Sequence, residues 1–284
     1  MKPYLLLLAF GLCGYAFAQD HEFHLDKEYD IDPAGTIELY SDDAQVTITG
    51  TERSTAHVKI DWELNTTGVV SGRKNFDVEV TSRNGDLTIR QQEKGNLSVV
   101  GSVNEDYTIF IEAPQGVSLK IKGDDDDYTI RNIDGAIVLT NDDGDARLTQ
   151  CGGNYFEFNV DDGDVELDQG QGELIVKMDD GNLEVENGKF SKIDARNDDG
   201  DLIIETSLED GGTYALKSSD ADIRFTVTEG GGNFDIQHDD SSIRSSDSFR
   251  MLEEDETFTR LQLPNGDADV SIRTDDSQIR LSTR

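Results

Sequence analysis

The residues best suited to chemistry are the aspartates of a short repeated motif, Asp-Asp-Gly followed by Asp or Asn. Its clearest copies begin at intervals of 19, 18 and 19 residues, at Asp142, Asp161, Asp179 and Asp198. Degenerate copies begin at Asp42, Asp124, Ser219, Asp239 and Asp275, and the segment Arg83-Asn84-Gly85-Asp86 falls in the same series. If these copies stack in register, their carboxylates lie about 5 Å apart and repel by roughly 1 kcal/mol per neighbouring pair.

Such a stack should raise some carboxylate pKa values or recruit cations. Calcium suits the motif because it accepts six to eight oxygen ligands in loose geometry. The sequence therefore offers a set of candidate calcium ligands: Asp143, Asp145, Asp162, Asp164, Asp180, Asp199 and Asp201.

The same motif has a purely structural interpretation, which we favour. Asp and Asn side chains hydrogen-bond the backbone two residues ahead, and glycine supplies a positive φ. One such turn per repeat is what the corner of a stacked β structure requires. The spacing matches no known calcium loop and no bidentate Glu recurs, so calcium stays the alternative.

Other candidate chemistry is weak. Cys151, between Gln150 and Gly152, is typical of a small packed side chain. The histidines have no nearby Ser or Cys arrangement that indicates a nucleophile and its base. A polysaccharide-lyase-like enzyme is the strongest catalytic alternative, but the basic residues look scattered and none points at the acidic turns. We predict no enzyme activity and no catalytic residue.

The strands that position the turns are predicted from apolar residues at fixed positions before and after each motif start, which we call the apolar columns. The third and fifth residues before each motif start, and the fourth and sixth after it, are apolar with one exception, Ser245. Apolar residues two apart predict strands with one buried face. Each repeat therefore holds two short strands joined by the acidic turn, and no helical period occurs after residue 18.

An antiparallel meander and a solenoid both fit this pattern. A meander leaves one long apolar face uncovered, whereas a solenoid covers that face with its opposite wall. We predict an all-β fold, a single β-solenoid of about twelve coils of about 19 residues. The predicted domain spans residues 19–284, with a less regular part at 19–123 and regular repeats at 124–284. The stretch from Phe249 to Leu263 is expected to be a lateral excursion.

The acidic copies carry a resemblance to a known family. The segments beginning at Asn141, Val160 and Asn197, each continuing Asp-Asp-Gly-Asp, resemble the bacterial adhesin-like β-strand-repeat proteins. The resemblance covers most of the chain after residue 18. It implies a solenoid-like β fold outside the cytoplasm, and it implies no catalytic residues.

Residues 1–18 are predicted to be a secretory signal peptide, with a lysine at position 2, an apolar core and Ala16-Phe17-Ala18 before the cut. No second apolar segment predicts a membrane span in the mature chain. The whole chain has 284 residues, with 60 Asp and Glu against 25 Lys and Arg and a net charge of -35. This charge argues against nucleic-acid partners, because phosphate binding needs a basic surface.

We therefore expect a non-catalytic exported scaffold or adhesin-like protein in the periplasm, at the cell surface or outside the cell. Its partner would be a surface glycan or a protein. The two alternatives are a calcium-dependent binding module and a carbohydrate-active enzyme. No cofactor other than calcium is suggested.

Overall fold

The computed structural model describes residues 19–284, and the predicted signal peptide lies outside them. Every regular element in this part of the chain is a strand, which confirms the all-β prediction. The first twelve strands are β1 (Gln19–Asp30), β2 (Thr36–Tyr40), β3 (Gln45–Thr51), β4 (Thr55–Gly72), β5 (Asn75–Arg83), β6 (Asp86–Lys94), β7 (Leu97–Pro114), β8 (Ser118–Lys122), β9 (Asp127–Arg131), β10 (Ile137–Asp143), β11 (Ala146–Thr149) and β12 (Tyr155–Asp162).

The remaining strands are β13 (Val165–Asp168), β14 (Gln171–Asp180), β15 (Leu183–Asp199), β16 (Leu202–Thr206), β17 (Thr213–Ser218), β18 (Ile223–Val227), β19 (Gly232–His238), β20 (Ser242–Ser245), β21 (Arg250–Glu254), β22 (Phe258–Leu263), β23 (Ala268–Thr274) and β24 (Gln278–Thr283). Among the described residues, no helix is long and apolar enough to cross a membrane.

The strands form two walls in which neighbours run parallel. The front wall has the order β6–β2–β8–β10–β12–β14–β15–β17–β23–β19. The back wall has the order β7–β3–β9–β11–β13–β15–β16–β18–β24–β20. The long strand β15 belongs to both, since its beginning pairs in the back wall and its end in the front wall. A front strand, an acidic turn and a back strand make one unit, except that β6 and β7 are joined by residues 95–96.

The apolar columns predicted from the sequence line the space between the walls. Phe156 and Phe158 of β12, for example, point inward beside Leu174 and Val176 of β14, and all four are buried. Because the walls face each other, each covers the apolar side of the other and no second layer is needed. The columns end at the outermost unit, where Ile243 is half-buried and Ser245 is exposed.

The predicted winding of about twelve successive coils needs correction. Among residues 19–284 the pairings give ten two-strand units, and their order in space departs from chain order at both ends. The β6–β7 unit lies outside β2–β3, and the β19–β20 unit lies outside β23–β24. A sequence period shows that units are alike but not which unit lies beside which, so the spacing alone could not reveal these exchanges.

Antiparallel strands cover the two ends of the stack. At one end β4 pairs with β7, β1 with β4, and β5 with β6. At the other, β22 pairs with β19 and β21 with β22, where the sequence predicted a lateral excursion. Unpaired strand edges are templates for aggregation, so covering them is a common protection. The back wall ends on β20, a four-residue strand rich in serine.

The turn at Arg83–Asp86 is not a corner of the stack, contrary to its place in the repeat series. It closes the β5–β6 hairpin, in which Arg83 pairs with Asp86. Asn84 and Gly85 both have positive φ, 54° and 88°. Asn-Gly with two positive φ values is the preferred connection of a tight antiparallel hairpin.

The β4–β5 and β6–β7 segments form one long two-stranded ribbon that folds over the end of the stack. It leaves the back wall along β4 and β7, bends at residues 73–74 and 95–96, and returns to the front wall along β5 and β6. Trp62 and Phe76 stack inside the bend with ring centroids 4.5 Å apart. The outgoing part, Asn65–Gly72 paired with Leu97–Asn104, contains no charged residue, and we call it the uncharged ribbon.

Candidate functional site

The aspartates that follow each motif start form a continuous ladder on the stack. Asp143 pairs with Asp162, Asp162 with Asp180, and Asp180 with Asp199, and a bridge joins Asp125 to Asp143. All five residues are exposed. The structure therefore brings Asp143, Asp162, Asp180 and Asp199 together at one strand spacing, about 4.8 Å.

The aspartates two positions further on have a structural use. The carboxylate of Asp145 accepts a hydrogen bond from the backbone N–H of Asp164 at 3.0 Å. Asp164 in turn accepts one from the N–H of Asn182 at 2.8 Å, and Asn182 from the N–H of Asp201 at 2.9 Å. Each side chain thus caps the next unit. Asp145 and Asp164 are therefore partly committed to the backbone, which supports the structural interpretation of the motif.

The motif glycines are required by both conformation and space. Gly163 and Gly181 have φ of 144° and 121°. A Cβ on Gly163 would lie 2.2 Å from the carbonyl oxygen of Gly144, and one on Gly181 would lie 2.1 Å from that of Gly163. Backbone of adjacent units meets here with no room for a side chain, so this column holds the turns in stacking contact.

Crowding among the turn carboxylates raises several pKa values, as the sequence predicts. Local desolvation, followed by the neighbouring charges of Asp142 and Asp179, raises the pKa of the exposed Asp161. A side-chain hydrogen bond with Asp142 raises the pKa of Asp124. Burial, followed by the charges of Asp43 and Asp124, raises the pKa of Asp42 to about 6.

A second acidic arrangement, which the sequence analysis missed, lies where the ladder reaches the β2–β3 unit. One carboxylate oxygen from each of Asp42, Asp43 and Asp125 lies within 4.8 Å of the other two. These three could share a cation more readily than the evenly spaced ladder, because they converge instead of running in a row.

Asp126 lies beneath this arrangement and occupies the position that is glycine in the regular copies. Its buried carboxylate accepts hydrogen bonds from Ser41 Oγ at 2.8 Å, from the N–H of Ala44 at 2.6 Å and from Tyr128 Oη at 2.7 Å. Burial raises the pKa of Asp126, and these three bonds oppose the rise. The substitution of Asp for Gly in this column was the sequence signal for this buried network.

Cys151 is 1% exposed and packs in the core, as expected. Burial raises the pKa of its thiol, so the thiol does not carry the thiolate that nucleophilic chemistry needs. Arg147 on the back wall is engaged by a neighbouring carboxylate, since it donates two 2.6 Å hydrogen bonds to Glu166.

The basic residues are less scattered than the sequence suggests. Lys177, Arg196, Lys217 and Arg273 occupy the same register position on four adjacent front-wall strands, and all four are exposed. We call them the cationic row. Each lies two residues before a motif start, and aligning that column would have found the row from the sequence.

The fold and these turns define a class of acidic, all-β repeat proteins. The chain belongs to the family described as Toastrack DUF4097, whose model matches residues 35–282. The resemblance to the bacterial adhesin-like β-strand-repeat proteins is thereby confirmed. No curated protein matches the chain.

Two solved structures to which the chain is similar are each of a protein named a putative adhesin. The one from Bacteroides fragilis is 14% identical, with a TM-score of 0.42, covering 91% of this chain and 97% of that one. The one from Parabacteroides distasonis is 8% identical, with a TM-score of 0.36, covering 94% and 98%. Similarity at this level carries no conclusion about function.

Proposed function

We propose that this protein is a non-catalytic, exported, adhesin-like binding protein, held at the cell surface or in the envelope, in which the stacked walls serve as a scaffold. The uncharged ribbon is its contact surface for a protein partner. The calcium-dependent module and the carbohydrate-active enzyme stay as alternative predictions.

The observation that supports this proposal is the contrast between the neutral, apolar surface of the uncharged ribbon and the acidic surface of the rest of the molecule. Val69 and Val100 face each other across the ribbon and are 71% and 76% exposed, and Val103 is 52% exposed. A chain of net charge -35 repels most acidic surfaces, whereas a neutral apolar ribbon can approach them. Exposed apolar patches rimmed by polar residues are typical of interaction sites.

The ribbon also offers backbone hydrogen-bonding groups. Among the described residues, β1 pairs with β4 only as far as Thr66, and β3 pairs with β7 only from Thr108 onward. Within residues 19–284 both edges beyond these residues are unpaired, so an extended partner segment can add as a further strand. The valines then supply side-chain contacts, and repeated copies on a surface add avidity without a strong single site.

The experiment measures adhesion of beads that carry residues 19–284 to immobilised mucin, fibronectin and collagen. Wild-type beads should be retained on at least one of these proteins, and the V69S/V100S variant should lose about tenfold in retention because the apolar contact is removed. The matched control is M251S/L252S, which removes two exposed apolar side chains, 47% and 51% exposed, from β21 at the other end.

The uncharged ribbon is not the contact surface if retention falls equally in both variants. The same conclusion follows if wild-type beads adhere to none of the three proteins. The absence of catalysis is tested separately by incubating the protein with neutral and acidic polysaccharides, with and without calcium. We expect no new reducing ends and no unsaturated products.

A further inference from the structure

The cationic row lies beside a shallow depression in the front wall. Arg196, Lys217 and Arg273 line a cavity of about 400 Å³ together with Leu216, the small residues Ala215 and Ser271, and one carboxylate, that of Asp194. Ala215 pairs with Ser271 in register, and Lys217 with Arg273. Small side chains next to three long cationic ones leave a groove that runs across the strands, along the axis of the stack.

The two arginines of this row contact other side chains, whereas the two lysines do not. Arg196 contacts Asp194 on its own strand, with Nε 3.2 Å from Oδ1. Arg273 donates from Nε to Gln237 Oε1 at 2.8 Å. The side chain of Lys217, between them, forms no hydrogen bond or ion pair with any residue that the structure describes, and the same holds for the side chain of Lys177.

Adjacent like charges on paired strands destabilise a sheet. This chain has 60 acidic residues against 25 Lys and Arg, yet the position next to each of these cations in the row is filled by another cation. A matching anion would remove the repulsion. No carboxylate of the described chain reaches Lys217, so the anion would have to come from a ligand.

We propose that the cationic row binds a linear acidic polysaccharide that lies along the row, with its carboxylates or sulfates paired to the exposed cations. The repeat of the row is one strand spacing, about 4.8 Å, which is close to the length of one pyranose ring in a linear polymer. An extended peptide advances only about 3.3 Å per residue, so its rise per unit matches the row less well. Duplex DNA is disfavoured because it carries one charge per about 1.7 Å of its axis, much denser than one cation per about 4.8 Å, and the acidic remainder of the molecule repels it more strongly.

This binding goes beyond the proposed function, because it uses a different surface from the uncharged ribbon. Arg196 lies six strand spacings from the β6–β7 unit along the front wall, roughly 29 Å at about 4.8 Å each. The two surfaces can therefore be occupied together, and loss of one leaves the other intact.

The test is a titration of the folded protein, residues 19–284, with sodium polygalacturonate at about 50 mM NaCl, followed by calorimetry. Neutral dextran and duplex DNA are the comparison probes. The variant R196Q/K217Q/R273Q removes the groove cations. The matched control R224Q/R244Q/R280Q removes the same number of arginine and lysine charges from an in-register row on the back wall. All six residues are exposed, so circular dichroism should be unchanged.

We expect wild-type protein to bind polygalacturonate but not dextran, with affinity that falls as salt is raised. The groove variant should lose at least about tenfold in affinity, while the back-wall variant should stay within about threefold of wild type. Equal losses in both variants would reduce the effect to general electrostatics and overturn the proposal. So would tighter binding of DNA than of polygalacturonate, or no polygalacturonate binding at all.

Discussion

At the residue scale, Asp42 shows most clearly what the stacked acidic turns cost. Its pKa is raised from 3.8 to about 6, first by partial burial and then by the charges of Asp43 and Asp124. The folded protein therefore binds a proton at Asp42 at pH values where the unfolded chain has already lost it. The stability from this proton is complete below about pH 4 and is lost as the pH rises through about 6.

The variant D42N should be more stable than wild type at neutral pH, because the amide replaces the ionised carboxylate. Asp42 is half-exposed, so solvent screening limits the gain to about 1 kcal/mol. Below about pH 4 the difference should disappear. Urea unfolding in EDTA at acidic and neutral pH measures it, with D210N in an exposed turn as the control. A wild type as stable as D42N at neutral pH contradicts the prediction.

Individual residues also show how far the sequence could predict the molecule. Period-two patterning identifies the inward residues, such as Phe156 and Leu174, because burial of one strand face leaves an alternating signal. The ladder through Asp143 and Asp162 follows from the period. The convergence of Asp42 with Asp125 does not, because it depends on which units are neighbours in space. The cationic row could be predicted, because its four members share one sequence column, two residues before each motif start.

At the element scale, the acidic turn is a stacking device built on glycine. Gly163 is in contact with the backbone of the turn before it, and Gly181 repeats that contact one unit later. The turn chemistry could be predicted from Asp and Gly preferences, but the closeness of the stacking could not.

G163A should destabilise the protein by several kcal/mol, because its Cβ would lie 2.2 Å from the carbonyl oxygen of Gly144. G211A is the matched control, since Gly211 also has a positive φ, 71°, but nothing lies within 4 Å of its Cβ position. That variant should lose only about 1 kcal/mol, the cost of the backbone conformation. Similar losses in the two variants by urea unfolding would show that stacking contact is unimportant.

At the scale of the whole molecule, charge opposes the fold. A net charge of -35 concentrated on closely stacked turns should make stability depend on salt. Raising NaCl from about 0.01 M to about 0.1 M shortens the Debye length from about 30 Å to about 10 Å. We expect the melting temperature to rise by several degrees over this range.

Calcium chloride at the same ionic strength separates screening from binding. If the aspartates hold calcium, the melting temperature rises well beyond the value in NaCl, and EDTA reverses the extra rise. If the two salts act equally, the ladder responds only to screening and the calcium prediction fails. Magnesium chloride is the control for divalent charge without calcium's looser coordination.

The exchanged order of units at the two ends has a consequence for biogenesis. The last strand described, β24, is inserted between β18 and β20, so the unit made before it cannot reach its final neighbours until β24 arrives. A chain that emerges progressively from a ribosome or a translocation pore can add its middle units in succession. It cannot add the β19–β20 unit in chain order, because β24 lies between β18 and β20. We expect the segment holding β19 and β20 to reach its final place only after β23 and β24 have emerged.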